Sequence, residues 1–438
     1  MKIKNFVFLI FLLTANLFGQ LKKYSASDIK SDIQFMISTM EDTHINLYAI
    51  YPKQDFYKGL KSVEKSINDS MTIVDIWKST APLIAKLGDG HTSFRVPRDA
   101  YLQYLKDGGK LFPFDVKVDN GKLYTDGLCG KDSSVLSGSE IISINGIDAT
   151  KIIDLMMVFI SGEKLSFRNT SVAYSFKALL CLLFDIKGNF IIKYKSVDDP
   201  GIKEAEVEGL SKDEIMRAAM KQAVFESPYK LKLLEDDTVA LIDFRSFSNY
   251  DIFAKFLDTT FSVIAGNGIN NLIIDIRKNG GGNSALGDLL FDYITDTPYC
   301  QFIRTDVKTD GEVKTYYNDL RKPADPLNKF HGKVYLLTSN ATFSSANSFS
   351  SAFKCYKMGT VIGEETGGVT VPFGDVKTFT MPITQMQFGV SFKRFWEACG
   401  KEDGHGVIPD YEVKQNPEDS AKGIDTVLGF TLNLIKKN

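Results

Sequence analysis

From Ser27 to about Leu87, apolar residues recur at helical spacing. Ile29, Ile33, Met36, Ile37 and Met40 share one face of a 3.6-residue period, and Phe56, Leu60, Val63 and Ile67 form a second stripe, each behind residues able to cap a helix. Such stripes are core-facing surfaces rather than binding sites. Between about Leu111 and Ser196 the period shortens to two. Phe114, Val116 and Val118 alternate up to Asn120-Gly121, a favoured hairpin turn, and Leu123 resumes the pattern beyond it. Gly138 to Met156 then predicts a strand, a second turn at Asn145-Gly146, and a helix. After about Ser227 strands and helices alternate, as in a layered α/β domain. Val239 to Phe244, Asn271 to Ile276 and Val334 to Thr338 read as buried strands, and polar, Gly-rich loops follow the last two. Function tends to sit on such loops. The chain shows no internal repeat and no low-complexity tract.

At the N-terminus, Lys2 and Lys4 precede an apolar run from Phe6 to Leu13 and a small residue at Gly19. That layout predicts a cleavable secretory signal over residues 1–19, because the run falls well short of the ~20 apolar residues a bilayer needs. The expected location is therefore periplasmic or secreted, with no integral membrane span after cleavage. The 438 residues are enough for two or three domains with real cores, and 44% hydrophobic with 24% charged content is globular. A net charge of −2 with no polybasic run removes the electrostatic footprint of a nucleic-acid binder. Five cysteines, at 129, 181, 300, 355 and 399, have no short spacing, so neighbours build neither a redox CxxC nor a zinc knuckle. Export would permit disulfides, whose pairing the sequence leaves open.

The segments 87–94 (LGDGHTSF), 273–284 (IIDIRKNGGGNS), 338–354 (TSNATFSSANSFSSAFK) and 402–410 (EDGHGVIPD) could carry chemistry. In the third, a strand turns into a helix whose Phe349 and Phe353 share a face. Ser344 and Ser345 then lie at a helix start, where exposed N–H groups favour negative charge. A serine there is placed either as a nucleophile with an adjacent oxyanion donor or as an ordinary N-cap. Gly280 to Gly282 let backbone amides approach a ligand. They also fit a G-x-G-x-x-A dinucleotide fingerprint with Ala285, though deep in the chain and in an exported protein. Of the four histidines, His44 and His331 read as structural or surface residues, whereas His91 and His405 lie in Gly-flanked loops. No HExxH or clustered acid/His spacing supports a metal, and no cofactor is expected.

Residues 138–156 resemble a PDZ domain, with a Gly-Ser-Glu start, an apolar strand ending in Asn-Gly, and a helix; that resemblance implies a peptide added along a sheet edge. Taken with DGHT, the strand-then-NGGG element, TxS before a helix, and GVxPD, the chain resembles the carboxy-terminal processing (tail-specific) and tricorn core serine peptidases. The resemblance implies an α/β fold: a catalytic domain of ββα units like ClpP and the crotonases over residues 225–438, an N-terminal helical region over 20–110, and an inserted PDZ-like module over 111–205. It further implies that Ser344 is the nucleophile and that the N–H groups of Gly281 and Ser345 form the oxyanion hole. The processing peptidases take their base from a Lys in a G-K-G element, and here the corresponding GEETGGVT offers Gly368 and Val369 but no Lys. The tricorn-like branch uses the His of the DGHT-like element with a carboxylate near GVxPD, matched by His91 and by Glu402 or Asp403. Asn347 stands where many relatives have Glu. The implied function is an exported serine endopeptidase acting on peptide or protein substrates through an acyl-enzyme. The alternatives are a catalytically weak or inactive binding protein for peptides or hydrophobic ligands on the same scaffold, and a crotonase-like hydratase.

Overall fold

The computed structural model describes residues 22–128, 135–184, 186, 188–217, 227–236 and 238–437. The segment 1–19 expected to be a signal, and Cys129, lie outside these. The chain divides into two compact units, one of residues 1–161, 171–220 and 376–390, the other of 162–170, 221–375 and 391–438.

In the first unit, helices α1 (Ala26–Thr43), α2 (Lys53–Ser66) and α3 (Ile73–Ala85) bury the stripes expected from the periodicity: Ile29, Ile33, Met36, Ile37 and Met40 on α1, then Phe56, Leu60 and Val63 on α2. α3 starts from a capping box in which Thr72 and Asp75 each satisfy the other's backbone N–H. It leads into the loop that carries His91 and then strand β1 (Ser93–Phe94), which pairs antiparallel with Phe388 and Gly389. An antiparallel sheet follows in the order β2 (Phe114–Asp119), β3 (Lys122–Leu128), β4 (Glu140–Ile144), β5 (Phe190–Lys195), β6 (Ile202–Val207). Helices α4 (Ala149–Met157) and α5 (Leu165–Phe184) lie between β4 and β5 in sequence. Both Asn-Gly pairs place Asn and Gly at positive φ, 48° and 73° at 120–121 and 47° and 77° at 145–146, as a tight hairpin requires.

The second unit is built on one sheet in the order β7 (Tyr229–Leu234), β8 (Val239–Phe244), β9 (Asn271–Asp275), β12 (Lys333–Thr338), β13 (Thr360–Gly363), β15 (Tyr411–Glu412). All neighbours from β8 onward are parallel, whereas β7 is antiparallel to β8. Helices cover both faces, so β8 is buried along its whole length. Ala240, Ile242, Leu272, Ile274 and Leu336 face α6 (Tyr250–Gly266), α7 (Ala285–Ile294) and α8 (Ser345–Cys355). Leu241, Ile273, Tyr335 and Leu337 point the other way, onto α9 (Thr426–Lys437). A second sheet pairs β10 (Phe302–Thr309) with β11 (Glu312–Tyr317) on one side and β14 (Gln387–Glu397) on the other. The protein is thus mixed α/β. No helix among the described residues is long and apolar enough to cross a membrane.

Candidate active site

Strands β9 and β12 are parallel neighbours in register, Ile274 opposite Leu336 and Asp275 opposite Leu337, so their loops leave the sheet at the same edge. In open parallel sheets that carboxyl edge is where ligands bind. Side chains from one loop meet the backbone of the other. Thr342 Oγ1 donates to the Ile276 carbonyl at 3.0 Å and Ser339 Oγ donates to the Arg277 carbonyl at 2.5 Å. The Phe343 N–H donates to the Asn279 carbonyl at 3.1 Å, while Asn279 Nδ2 reaches back to the Phe244 carbonyl at 2.9 Å. Thr342 and Asn279 are fully buried, which makes these bonds costly to break.

The result is an unusual backbone at Ser344, with φ 53° and ψ −127°. For a residue with a side chain, that region costs of order 1–3 kcal/mol and persists only when the surroundings impose it. Ser344 occupies the N-cap position of α8, yet its side chain caps no helix N–H. The serine is therefore not spent on capping, which removes the ordinary explanation for its position. α8 is held from behind by Phe349, stacked on Phe291 with ring centroids 4.4 Å apart.

Ser345 is the first helical residue, and its N–H has no acceptor among the described residues. Its hydroxyl donates to the Gly282 carbonyl at 2.6 Å and accepts from Ser284 Oγ at 2.9 Å, which fastens the glycine run to the start of α8. Gly281 has φ 99°, and a Cβ there would stand 2.7 Å from Ser344 Cβ and 2.8 Å from both the Phe343 oxygen and the Ser345 nitrogen. Only glycine permits that approach. The Gly281 N–H, expected as an oxyanion donor, donates to Asn279 Oδ1 at 2.9 Å in this structure. The N–H groups of Gly280 and Gly282 have no acceptor among the described residues.

The carboxylates expected to orient the base are engaged elsewhere. Glu402 is exposed and pairs with the Arg394 guanidinium, and Asp403 Oδ1 accepts the His405 backbone N–H at 3.0 Å. The GVxPD element is instead an anchor: Asp410 Oδ2 accepts the Val361 N–H at 2.8 Å, and the Val407 N–H donates to Thr366 Oγ1 at 2.7 Å.

His91 belongs to the first unit, where the loop after α3 turns on Asp89. Asp89 is almost fully buried; its Oδ1 accepts the His91 backbone N–H at 2.8 Å and lies 4.0 Å from His91 Nδ1. Its Oδ2 accepts from Thr92 Oγ1 at 2.5 Å and from His44 Nε2 at 3.1 Å. His44 Nδ1 accepts the Asn46 N–H at 3.0 Å, so the ring proton must sit on Nε2, facing Asp89. Asp89 stands inside the DGHT motif but was not assigned a role from sequence, and its position two residues before the histidine was the available signal.

Two buried groups also went unassigned. Glu397, at the end of β14, is fully buried, and desolvation pushes its carboxyl up to about 7. Asn347, on the first turn of α8, donates from Nδ2 to both Glu397 oxygens and to the Val369 carbonyl, each at 3.0 Å. Val369, which with Gly368 lies in the stretch where the resemblance would place a Lys, is nearly buried and accepts through its carbonyl. A disulfide joins Cys355, at the end of α8, to Cys399, two residues beyond Glu397. Among the described residues no three His, Cys, Asp or Glu side chains converge as metal ligands.

Residues 238–413 match the profile of peptidase family S41. The tricorn protease of Thermoplasma acidophilum is 26% identical over 166 residues, which cover 37% of this chain and 14% of that protein. The chain therefore spans a small part of the length of the curated relatives it matches, 13–20% across them. Among solved structures, mature CPAF superposes with a TM-score of 0.64 at 14% identity, covering 94% of this chain and 97% of that one. The photosystem II D1 C-terminal processing protease gives 0.50 at 14% identity, covering 90% and 94%. At such identities the structural likeness concerns the fold. Residues 238–413 are thus similar to peptidase family S41, a family of serine-type peptidases and so of hydrolases, and the tricorn relatives and the shared fold agree with that likeness.

Proposed function

We propose that this chain is an exported serine endopeptidase that cleaves peptide bonds through an acyl-enzyme, with Ser344 as nucleophile and His91 as base in place of the family's Lys. The observation that carries the reading is the backbone at Ser344: a strained, non-capping serine followed by an N–H without an acceptor, with Gly281 packed against both. In this mechanism the imidazole of His91 takes the Ser344 hydroxyl proton as Oγ attacks the scissile carbonyl. The oxygen that gains charge is met by the Ser345 N–H, with Gly280 or Gly282 as source of a second donor. Collapse expels the amine, which receives the proton from His91, and water then hydrolyses the ester by the reverse path. Asp89 holds the His91 loop through the His91 backbone N–H, and the acid expected to orient the imidazole is Glu402 or Asp403. No metal or cofactor enters these steps.

The same proposal includes the finer architecture. The sheet of β2 to β6 with α4 serves as a PDZ-like module offering an edge to a peptide, and the second unit is of the ClpP/crotonase type with ββα repeats. Cleavage near carboxy termini is supported by the fold shared with a C-terminal processing protease. Export to the periplasm or beyond is supported by the N-terminal pattern and by the Cys355–Cys399 bridge, since disulfides persist in oxidising compartments.

A fluorophosphonate probe should label the purified protein, Ser344→Ala should abolish the label, and His91→Asn should slow it strongly. Undiminished labelling of Ser344→Ala refutes the assignment of the nucleophile. The specific observation favouring a binding protein is a stretch with Gly368 and Val369 but no Lys, together with Asn347 where many relatives have Glu. Tight retention of peptides by wild type with neither labelling nor turnover would decide for that reading.

A further inference from the structure

Glu397 raises a physical question. A fully buried carboxyl is expensive unless a cation pairs with it, and the groups around this one are uncharged: Asn347 and Ser348 donate to it from α8, while the nearby Ser351 hydroxyl donates to the Ala398 carbonyl. Neither β10, which places Phe302 opposite Glu397, nor the 366–370 loop presents a charged side chain to it among the described residues.

The hydrogen-bond directions are partly fixed. Thr366 Oγ1 accepts the Val407 N–H and so gives its own proton to Asn347 Oδ1. That turns the Asn347 amide nitrogen toward Glu397 and the Val369 carbonyl. Ser348 is not fixed. It has one hydroxyl proton and two acceptors, Glu397 Oε1 at 2.7 Å and the Ser344 carbonyl at 3.4 Å. While Glu397 is ionised, the shorter, charge-assisted bond takes the proton. When Glu397 is protonated, its O–H donates to Ser348 Oγ, and the Ser348 hydroxyl swings to the Ser344 carbonyl. That carbonyl belongs to the same peptide as the Ser345 N–H. A hydrogen bond to the oxygen of an amide makes its N–H a better donor. The same protonation removes a buried negative charge from behind the place where an oxyanion develops.

We propose that Glu397 is a positioning residue that tunes the Ser344–Ser345 peptide through the hydroxyl of Ser348, with its neutral form favouring attack by Ser344. This inference rests on the reading of Ser344 as nucleophile. Burial brings the proton exchange at Glu397 into the neutral range, where it can act on the working enzyme.

The test is the rate of fluorophosphonate labelling from acidic to alkaline pH for wild type, E397Q, S348A and the double variant. Gln at 397 carries an N–H that donates to Ser348 Oγ at every pH. E397Q should therefore match wild type on the acid side and exceed it about threefold on the alkaline side. In the S348A background, E397Q should change nothing. An E397Q curve that parallels or lies below wild type at all pH values overturns the proposal, as does an E397Q effect that survives S348A. A purely structural carboxyl would give the first of these results. Infrared difference spectra give a readout independent of labelling and of the E397Q fold: the protonated-carboxyl band of Glu397 should shift in S348A, and an unshifted band overturns the proposal. Failure of the nucleophile reading has a different signature, namely label retained in Ser344→Ala.

Discussion

Gly281→Ala is the sharpest perturbation the site offers, because its cost can be worked from geometry. The added Cβ would lie 2.7 Å from Ser344 Cβ and 2.8 Å from the Phe343 oxygen and the Ser345 nitrogen, all parts of the turn at Ser344 and none a flexible side-chain end. The residue also sits at φ 99°, where an L side chain is strained. Left-handed backbone costs roughly 1–2 kcal/mol and overpacking typically 1–3 kcal/mol, so the loss should fall at about 2–5 kcal/mol. For a unit of this size that lowers the melting temperature by roughly 5–15 °C. The damage is aimed at the Ser345 N–H, so labelling should also slow by about 10²–10³, the usual effect of losing one oxyanion donor. Gly280→Ala is the matched control: its Cβ would meet nothing within 4 Å, so stability and labelling should stay near wild type. Differential scanning fluorimetry and probe kinetics on both variants check this. If Gly281→Ala is as stable and as reactive as Gly280→Ala, the claim that the glycine run shapes the nucleophile turn is wrong.

Further expectations concern the carboxyls and the disulfide. Above its unfolded value of 4.5, Glu397 keeps a proton in the folded state that the unfolded chain has released, so stability falls as pH rises from about 4.5 to about 7. Relative to E397Q, wild type should lose on the order of 3 kcal/mol across that window, read from urea unfolding at a series of pH values; parallel curves would deny the raised pKa. Asp89→Asn weakens the acceptor of the His91 N–H, of Thr92 and of His44 together, so stability should drop by about 1–3 kcal/mol and labelling should slow. Unchanged labelling would show that Asp89 does not hold the histidine. Opening the Cys355–Cys399 bridge, with its sequence separation of 44, should cost about 4 kcal/mol in the chain-entropy picture. Thermal melts of Cys355→Ser/Cys399→Ser and of the reduced wild type should agree.

Much of the framework is visible in local sequence because local rules decide it. The two Asn-Gly pairs could hardly be anything but tight turns, and the apolar runs at 239–244, 271–276 and 334–338 are short enough to be only buried strands in a layered sheet. The α8 start at Ser345 follows from the Phe349 and Phe353 stripe behind a serine-rich turn. What the sequence did not disclose depends on long-range register. Glu397 ends the strand KRFWE, where alternation says nothing special about it. It becomes buried because β14 pairs with β10, Glu397 opposite Phe302, and carries its end onto α8. The Glu402–Arg394 pair spans only eight residues, yet which acid turns toward the base is a property of the folded loop. The partner of the Gly281 N–H is hidden for a similar reason: a side chain two residues earlier, Asn279, accepts it. The Cys355–Cys399 pairing waits on the same β14 placement.

The awkward turn at residue 344 is enforced by Thr342, Phe343 and Asn279, through bonds that do not involve the hydroxyl of Ser344 itself. Deleting that hydroxyl leaves each of those bonds in place. On the proposed function, a Ser344→Ala protein would hold a peptide without cutting it. Such a decoy, immobilised and offered a library of peptides, is a direct route to learning what is bound there.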